Sequence, residues 1–363
     1  MEPSRQSGTP TIDSLGGWPG ILSRLSSGHD LSRAESACAL GEVLEGNATP
    51  AQIAALMFGL RCKGETVEEM SGMVGALLAA ATRVRVGPEL ADRLIDTCGT
   101  GGDRSGTINV STIAALVVAG AGVPVCKHGG RAASSKAGSA DLLEALGVAI
   151  ELAPEGVARC IETAGIGFCF APRYHSALRH ATPVRRELGV PTAFNFLGPL
   201  ANPARVRRQV VGVGDQTMAA KMCGVLAANG ATHVLVVHGS DGLDELTVTG
   251  PSTVLEWKVE DPEVRSWVID PLDLGITPCH PDELKGGDAV TNAGLARAVL
   301  AGERGPHRDI VVLNAAAGLV VAGRAAQLAE GLIMAAAAID DGRAAQALAT
   351  LVATSQDAAG EPS

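Results

Sequence analysis

The stretch Asp96-Thr97-Cys98-Gly99-Thr100-Gly101-Gly102-Asp103, followed almost at once by Thr107-Ile108-Asn109-Val110-Ser111-Thr112, decides the fold of this 363-residue chain. The apolar pair Leu94-Ile95 leads into it, and the apolar run Ile113 to Val118 leads out. That order reads as a strand, a glycine-rich turn and a helix N-terminus crowded with small donors. Glycine lets the backbone approach a ligand closely, and a helix start offers N–H groups and the positive end of a dipole. A phosphate is the natural ligand of such a place.

Other glycine-rich readings fail on particular residues. A phosphate-binding Walker loop needs Gly-Lys-Ser/Thr four residues on, and no such pair follows Gly99. The dinucleotide fingerprint Gly-x-Gly-x-x-Gly meets Arg104 at its third glycine, and a second near-match, Gly212-Val213-Gly214, meets Thr217. A plain tight turn is the bland alternative. The donors stacked at Asn109, Ser111 and Thr112 argue against it.

Outward from this stretch the chain alternates. Strands are expected at Arg93–Thr97, Val123–Lys127, Ile166–Phe170, Gln209–Val213 and His233–Val237, with helices at Ser111–Ala119, Ser139–Leu146, Pro154–Ala164 and Thr217–Ala228 between them. Strand–helix alternation implies a parallel sheet covered on both faces. Leu246 to Trp257 and Arg265 to Ile269 read as antiparallel additions, and Ala289 to Leu351 as largely helical. Gly20 to Thr82 reads as about four helices, with Thr49-Pro50 and Thr66 as helix starts. Between Tyr174 and Pro203 a basic helical segment carries no strand pattern, an excursion that could return to the N-terminal helices. The expected organisation is therefore α/β. A small all-α domain, 14–90, is partly discontinuous through the segment at about 174–203; the large α/β domain, 91–173 and 204–356, has a mostly parallel central sheet flanked by helices.

Two further constellations carry chemistry. Lys127-His128-Gly129-Gly130-Arg131-Ala132-Ala133-Ser134-Ser135-Lys136-Ala137-Gly138-Ser139 again follows a strand and opens a helix. It lies at the carboxyl end of a parallel strand, the edge where open α/β sheets bind ligands. Alone it would read as a flexible surface loop; a second phosphate-suited loop on a neighbouring strand makes chance a poorer account. Asp241-Gly242-Leu243-Asp244-Glu245 follows the strand at His233–Val237. Adjacent carboxylates repel unless a cation or solvent separates them, and magnesium takes oxygen ligands while bridging carboxylates to substrate phosphates. An exposed acidic turn is the commoner fate of Asp-Gly, but this one falls on the presumed ligand edge.

Composition closes other routes. Net charge is −10 and no basic run stands out, which disfavours nucleic acid and anionic membrane as partners. Aromatic residues are 2%, too few for stacking platforms along a single strand. The eight cysteines form no Cys-x-x-Cys pair and read as free thiols in a reducing compartment. The polar start, Met1 to Thr11, carries no signal-peptide pattern, and no apolar run is long enough to span a membrane, so a cytoplasmic location is expected.

Together these runs resemble anthranilate phosphoribosyltransferase of tryptophan biosynthesis. The resemblance rests on Gly99-x-Gly-Gly-Asp103, Asn109-Val-Ser-Thr112, Lys127-His-Gly-x-Arg131 with Ser134-Ser135, and Arg185-Arg186-Glu187-Leu188-Gly189. The signature Phe194-Asn195-x-Leu197-Gly198-Pro199-Leu200-x-Asn202-Pro203 and Gly242-Leu243-Asp244-Glu245 complete it, from about Gly20 to Asp340. The resemblance implies a homodimer joined through the helical domain. It implies transfer of the 5-phosphoribosyl group from phosphoribosyl pyrophosphate (PRPP) to the amine of anthranilate, with release of pyrophosphate, the second step from chorismate to tryptophan. It places PRPP against Gly99, Gly102, Asp103, Thr107, Asn109, Val110, Ser111, Thr112, Lys127, His128, Gly129, Arg131, Ala132, Ala133, Ser134, Ser135 and Ser139. It places Mg2+ on Ser111, Asp244 and Glu245, and anthranilate against Gly99, Gly130, His175 and Arg185.

The chemistry agrees with that assignment. An anomeric carbon losing pyrophosphate develops oxocarbenium character, and donors and metal stabilise the charge growing on the leaving group. An aryl amine is already neutral near physiological pH, so no residue is named as a general base. Arg185 suits a planar carboxylate through its bidentate fork. One departure concerns the acceptor: the family usually carries Asn after Lys-His-Gly, and this chain carries Gly130. An impaired acceptor site, a different acceptor or an inactive variant would each follow from it. Pyrimidine nucleoside phosphorylase, which shares the fold, is the rival enzyme, and a nucleic-acid-binding relative the rival non-enzyme.

Overall fold

Capping residues set the helices at the start of the chain. In the computed structural model, which describes residues 10–132 and 136–360, Ser32, Thr49 and Thr66 each accept the N–H of the residue three further on. Glu35, Gln52 and Glu69 reach back to the cap N–H in return. These reciprocal boxes open the helices Arg33–Glu45, Pro50–Lys63 and Val67–Ala80, after a first helix at Gly17–Ser26. Glu69 does more than cap. Fully buried, it also accepts the Leu31 N–H at 2.9 Å and pairs with Lys63 at 2.9 Å.

The chain divides into two units, Met1–Ala81 with His175–Ala201, and Thr82–Tyr174 with Asn202–Ser363. The helical unit packs Arg33–Glu45 against Val67–Ala80. A Cβ on Gly72 would lie 2.1 Å from the Arg33 carbonyl oxygen, so the two helices approach where only glycine fits. The returning segment contributes the 3-10 turn Ser176–His180 and the helices Thr182–Leu188 and Phe194–Leu200, which pack on the N-terminal helices. The small helical domain is thus discontinuous in sequence.

The larger unit is built on a seven-stranded sheet among the described residues. Its strands are β1 (Ile95–Gly99), β2 (Val125–Gly129), β3 (Ile166–Phe170), β4 (Arg208–Gly212), β5 (His233–Gly239), β6 (Ser252–Lys258) and β7 (Asp261–Ile269). The order is β3-β2-β1-β4-β5-β6-β7, parallel from β3 to β5 and antiparallel at β6 and β7. The chain leaves β1 towards β2 and β3, then returns to the other side of β1 with β4 and β5. That reversal between β1 and β4 is the topological switch point at which open α/β sheets form a crevice.

Three strands begin later than the sequence suggests, β2 among them, at Val125 instead of Val123. β1 starts at Ile95 because the Leu94 N–H closes a turn on the Ala91 carbonyl, and it runs on to Gly99, which pairs with Gly212. β6 starts at Ser252 because the residues before it are held in a turn: Asp241 accepts the hydroxyls of Thr247 and Thr249 at 2.7 and 2.6 Å.

The core of this unit is aliphatic. The helix Pro306–Val321 is buried along most of its length and packs on the helix Val110–Gly120. A Cβ at Gly318 would sit 2.8 Å from Val118, so small residues let the two helices close up. No helix among the described residues is long and apolar enough to cross a membrane.

Candidate active site

At the switch point, Asp244 lies across the ends of β1 and β4. A Cβ on Gly212 would stand 1.5 Å from the Asp244 carbonyl oxygen, and one on Gly99 would stand 2.2 Å from its Oδ2. Neither glycine has a positive φ. Their lack of a side chain is therefore explained by space and not by backbone strain. The same Oδ2 accepts the Gly101 N–H at 2.6 Å, which fixes the carboxylate beside the glycine-rich turn.

Glu245 meets the helix that follows that turn. Its Oε1 accepts the Ser111 N–H at 3.0 Å, so a carboxylate sits at the positive end of the helix Val110–Gly120. The sequence suggests free N–H groups at this helix start, and the structure differs: the Ser111 N–H serves Glu245, and that of Thr112 serves Asn109. The side chains of Val110 and Thr112 are buried, 1% exposed each. Lys127 runs through the interior from β2 and donates to the Thr97 carbonyl at 2.5 Å and to the Ser111 Oγ at 3.4 Å. Ser111 thus stands between an ammonium group and a carboxylate.

Burial governs the charges. Glu245 is pushed up to about 8, first by loss of water and then by the negative charge of Asp244, with Lys127 opposing. Asp244 is raised to about 6, again by burial and then by the charge of Asp103. Asp103, Asp244 and Glu245 repel one another here, with Lys127 opposing at Glu245, an arrangement that a divalent cation relieves. Among the described residues no group of three or more His, Cys, Asp or Glu is placed to hold a metal ion. The donor set suits a metal that takes the rest of its oxygens from substrate and water, as magnesium does.

The turn itself is a nest. Gly101, Gly102, Arg104 and Gly106 have φ of 66, 83, 58 and 68°. Among the described residues the N–H groups of Gly102, Asp103, Arg104 and Gly106 donate to no protein acceptor. Successive N–H groups around left-handed residues form an anion-binding concavity. Asp103 accepts the Ser105 hydroxyl at 2.7 Å, and Ser105 touches the Thr107 hydroxyl at 3.2 Å. Asn109 donates its amide to the Ala137 carbonyl at 2.9 Å, joining this turn to the loop after β2.

That second loop is pinched at its base. The Asp141 carboxylate accepts the N–H groups of Ala132 at 3.0 Å and Gly138 at 2.8 Å. Ala133, Ser134 and Ser135, all expected at the site, lie outside the described residues. Arg131 has its fork on Asp141 at 2.9 Å and on Glu144 at 3.0 Å, and lies 5.5 Å over the Phe170 ring. Its charge is committed within the loop. Ser139 and Gly129 are in close contact, a Cβ on Gly129 falling 2.2 Å from the Ser139 Oγ, while that hydroxyl donates to the Gly130 carbonyl at 3.3 Å. Gly130 is open: a Cβ there meets nothing nearer than Ala171 at 4.0 Å. The His128 N–H donates to Asp96 at 3.3 Å, and its ring is buried.

His175 and Arg185 belong to the helical unit. The His175 Nε2–H donates to the Ala201 carbonyl at 2.9 Å, and burial holds the imidazole down to about 4, so the ring is neutral near pH 7. Arg185 is half-buried, and burial lowers its pKa. No carboxylate among the described residues lies within ion-pair reach of it. An arginine in that state suits an incoming carboxylate.

Several residues that shape the site carry no obvious mark in the sequence. Gly212 reads as a failed dinucleotide motif, yet it makes room for Asp244. Asp96 is fully buried in β1 and accepts the Asn202 amide at 2.8 Å, while Asn202 also donates to the Cys126 carbonyl at 2.8 Å. Burial raises Asp96 to about 6, against the opposing charge of Lys127. An acid inside an otherwise apolar strand is the signal that could have found it. Asn314 grips Leu246, the residue after Glu245, accepting its N–H at 3.0 Å and donating to its carbonyl at 2.8 Å.

A switch-point crevice with an anion nest and an adjacent acid pair is the kind of site in which an α/β transferase holds a phosphorylated ligand with a divalent cation. The pattern described as the glycosyl transferase family a/b domain matches residues 91–345, and the helical bundle domain of the same family matches residues 19–81. A Thermomicrobium roseum protein named anthranilate phosphoribosyltransferase is 53% identical over 332 residues, covering 91% of this chain and 95% of that one. The crystal structure of anthranilate phosphoribosyltransferase from Thermus thermophilus is 42% identical with a TM-score of 0.86, covering 92% and 99% of the two chains. The Saccharomyces cerevisiae enzyme in complex with PRPP and Mg is 26% identical with a TM-score of 0.85, covering 94% and 98%. The chain belongs to the anthranilate phosphoribosyltransferase family, glycosyltransferases of tryptophan biosynthesis.

Proposed function

We propose that the protein transfers the 5-phosphoribosyl group of PRPP to the anthranilate amine and releases pyrophosphate, with Mg2+ held by Ser111, Asp244 and Glu245. One observation carries this reading: in the pair Asp244–Glu245, Asp244 accepts the Gly101 N–H and Glu245 the Ser111 N–H, beside N–H groups of Gly102, Asp103, Arg104 and Gly106 that no described protein group accepts. The metal would neutralise charge that grows on the departing pyrophosphate.

The chain's own residues do the rest. The nest at Gly102 and Asp103, with Thr107 and the turn before Asn109, holds the phosphate groups of the donor. Lys127 places a positive charge against Ser111 without exposing itself to water. Arg131 acts through loop shape, since its fork is taken by Asp141 and Glu144. The acceptor's neutral aryl amine attacks the anomeric carbon as the bond to pyrophosphate opens, and no side chain needs to remove a proton beforehand. Neutral His175 is consistent with that. Arg185 pairs with the acceptor carboxylate, and Gly99 and Gly130 border its path. A cytoplasmic homodimer joined through the helical unit is part of the same proposal; Phe58, 51% exposed on Pro50–Lys63, is an apolar group such an interface would cover.

The test is a fluorescence assay of anthranilate loss, run beside pyrophosphate release. Both signals are expected together, and only with PRPP and Mg2+ present. Folded protein that shows neither, or that instead cleaves thymidine with free phosphate, overturns the proposal.

A further inference from the structure

Asn109 stands at the N-cap of the helix Val110–Gly120, where an asparagine side chain ordinarily caps its own helix, yet it makes no capping bond. Its amide is used elsewhere. Asn109 Nδ2 donates to the Ala137 carbonyl at 2.9 Å, and Asn109 Oδ1 accepts from the Nδ2 of Asn292 at 2.9 Å. Asn292, 2% exposed in the first turn of the helix Ala289–Leu300, accepts the Gly287 N–H on its Oδ1 at 2.7 Å.

The two ends of this chain of bonds are backbone groups of fixed polarity. The Gly287 N–H can only donate, and the Ala137 carbonyl can only accept. Both amides between them are therefore set in one orientation, and turning either over places oxygen against oxygen or donor against donor. The backbone repeats the link: the Ile108 N–H donates to the Leu284 carbonyl at 3.1 Å, and the Gly286 N–H to the Gly106 carbonyl at 2.9 Å. A Cβ on Gly286 would lie 2.3 Å from the Asn292 Oδ1, so this turn closes around the side chain.

We infer that Asn292 is a positioning residue for the donor site. Through Asn109 it holds the glycine-rich turn and the loop after β2 in one register, and it touches no substrate itself. The inference rests on the reading that Asn109 lies in the PRPP site. It makes Leu284–Asn292, far along the chain from either loop, the brace that both loops share.

Asn292→Asp keeps an acceptor for Gly287 and sets a carboxylate oxygen against Asn109 Oδ1; Asn292→Ala removes the link, and serves if the first variant does not fold. PRPP binding by calorimetry on the full-length protein with Mg2+, the two KM values and Tm are then measured. The PRPP Kd and KM are expected to rise about ten-fold, with the anthranilate KM within about two-fold. In an Asn109→Ala background, Asn292→Ala should add less than about two-fold to the PRPP Kd, because the two residues act as one unit. A merely structural role would lower Tm with PRPP binding unchanged, or raise both KM values alike, or persist undiminished in the Asn109→Ala background, and each result overturns the inference. An Asn109→Ala protein that binds PRPP normally overturns the donor-site reading and the inference with it. A weakened Asn109→Ala beside normal Asn292 variants overturns the inference alone.

Discussion

The Asp244 carbonyl fills the space that a side chain at Gly212 would need, with a Cβ there only 1.5 Å from the oxygen. Gly212→Ala must therefore displace the loop that carries Asp244 and Glu245. The expected loss is about 1–3 kcal/mol of stability in urea titration. Turnover should fall about 100-fold, since a small misplacement of reacting groups is costly. Near-normal turnover would show that the acid pair tolerates displacement.

Glu245 gives a pH signature. Its folded pKa of about 8 lies above the ordinary 4.5, so the native state holds a proton that the unfolded state releases between those values. Stability from this group is fully present below pH 4.5 and is lost as pH rises towards 8. In metal-free protein, Glu245→Gln should raise Tm by about 3 °C at pH 8 and leave it unchanged near pH 4.5. Saturating Mg2+ with PRPP should reverse the order at pH 8. Equal Tm values at both pH values would remove the case for a charge conflict at Glu245.

Gly130 has open space for a side chain, and its φ is not positive. Asn should fit there without strain, leaving Tm within about 1 °C. If the acceptor site is merely impaired by the missing amide, Gly130→Asn lowers the anthranilate KM several-fold. An unchanged or higher KM counts against an acceptor contact at this position.

His175 carries the opposite sign. Burial holds its folded pKa at about 4, below the ordinary 6.5. The stability it contributes is present above pH 6.5 and lost as pH falls towards 4. His175→Gln, which keeps a donor for the Ala201 carbonyl, should flatten the fall in urea midpoint between pH 6.5 and 4. The kcat/KM profile of the native enzyme should show no break near 6.5 from this ring, and a break that vanishes in the variant would contradict a neutral His175.

The class of fold was legible because its signals are local. Apolar runs, glycine turns and capping pairs such as Thr49–Gln52 act within a few residues, and Ile166–Phe170 and Ser139–Leu146 occur at the expected positions. The excursion after Tyr174 was legible as an absence of strand pattern. What stayed hidden depends on approach between distant segments. Nothing near Gly212 says that Asp244 will need its space, and nothing near Asn292 says that its partner is Asn109. The helix start at Ser111 looked free because the carboxylate that occupies it comes from Glu245, beyond four further strands. Cap chemistry is a neighbour's property; occupancy of a cap is a property of topology.

The crowding of Asp103, Asp244 and Glu245 has one more consequence. On the proposed function, a polyanion arriving bare would meet net repulsion from these carboxylates. The same ligand carrying its counter-ion would meet carboxylates ready to share it. The edge of the sheet would then act as a turnstile that admits a salt and turns back a free anion.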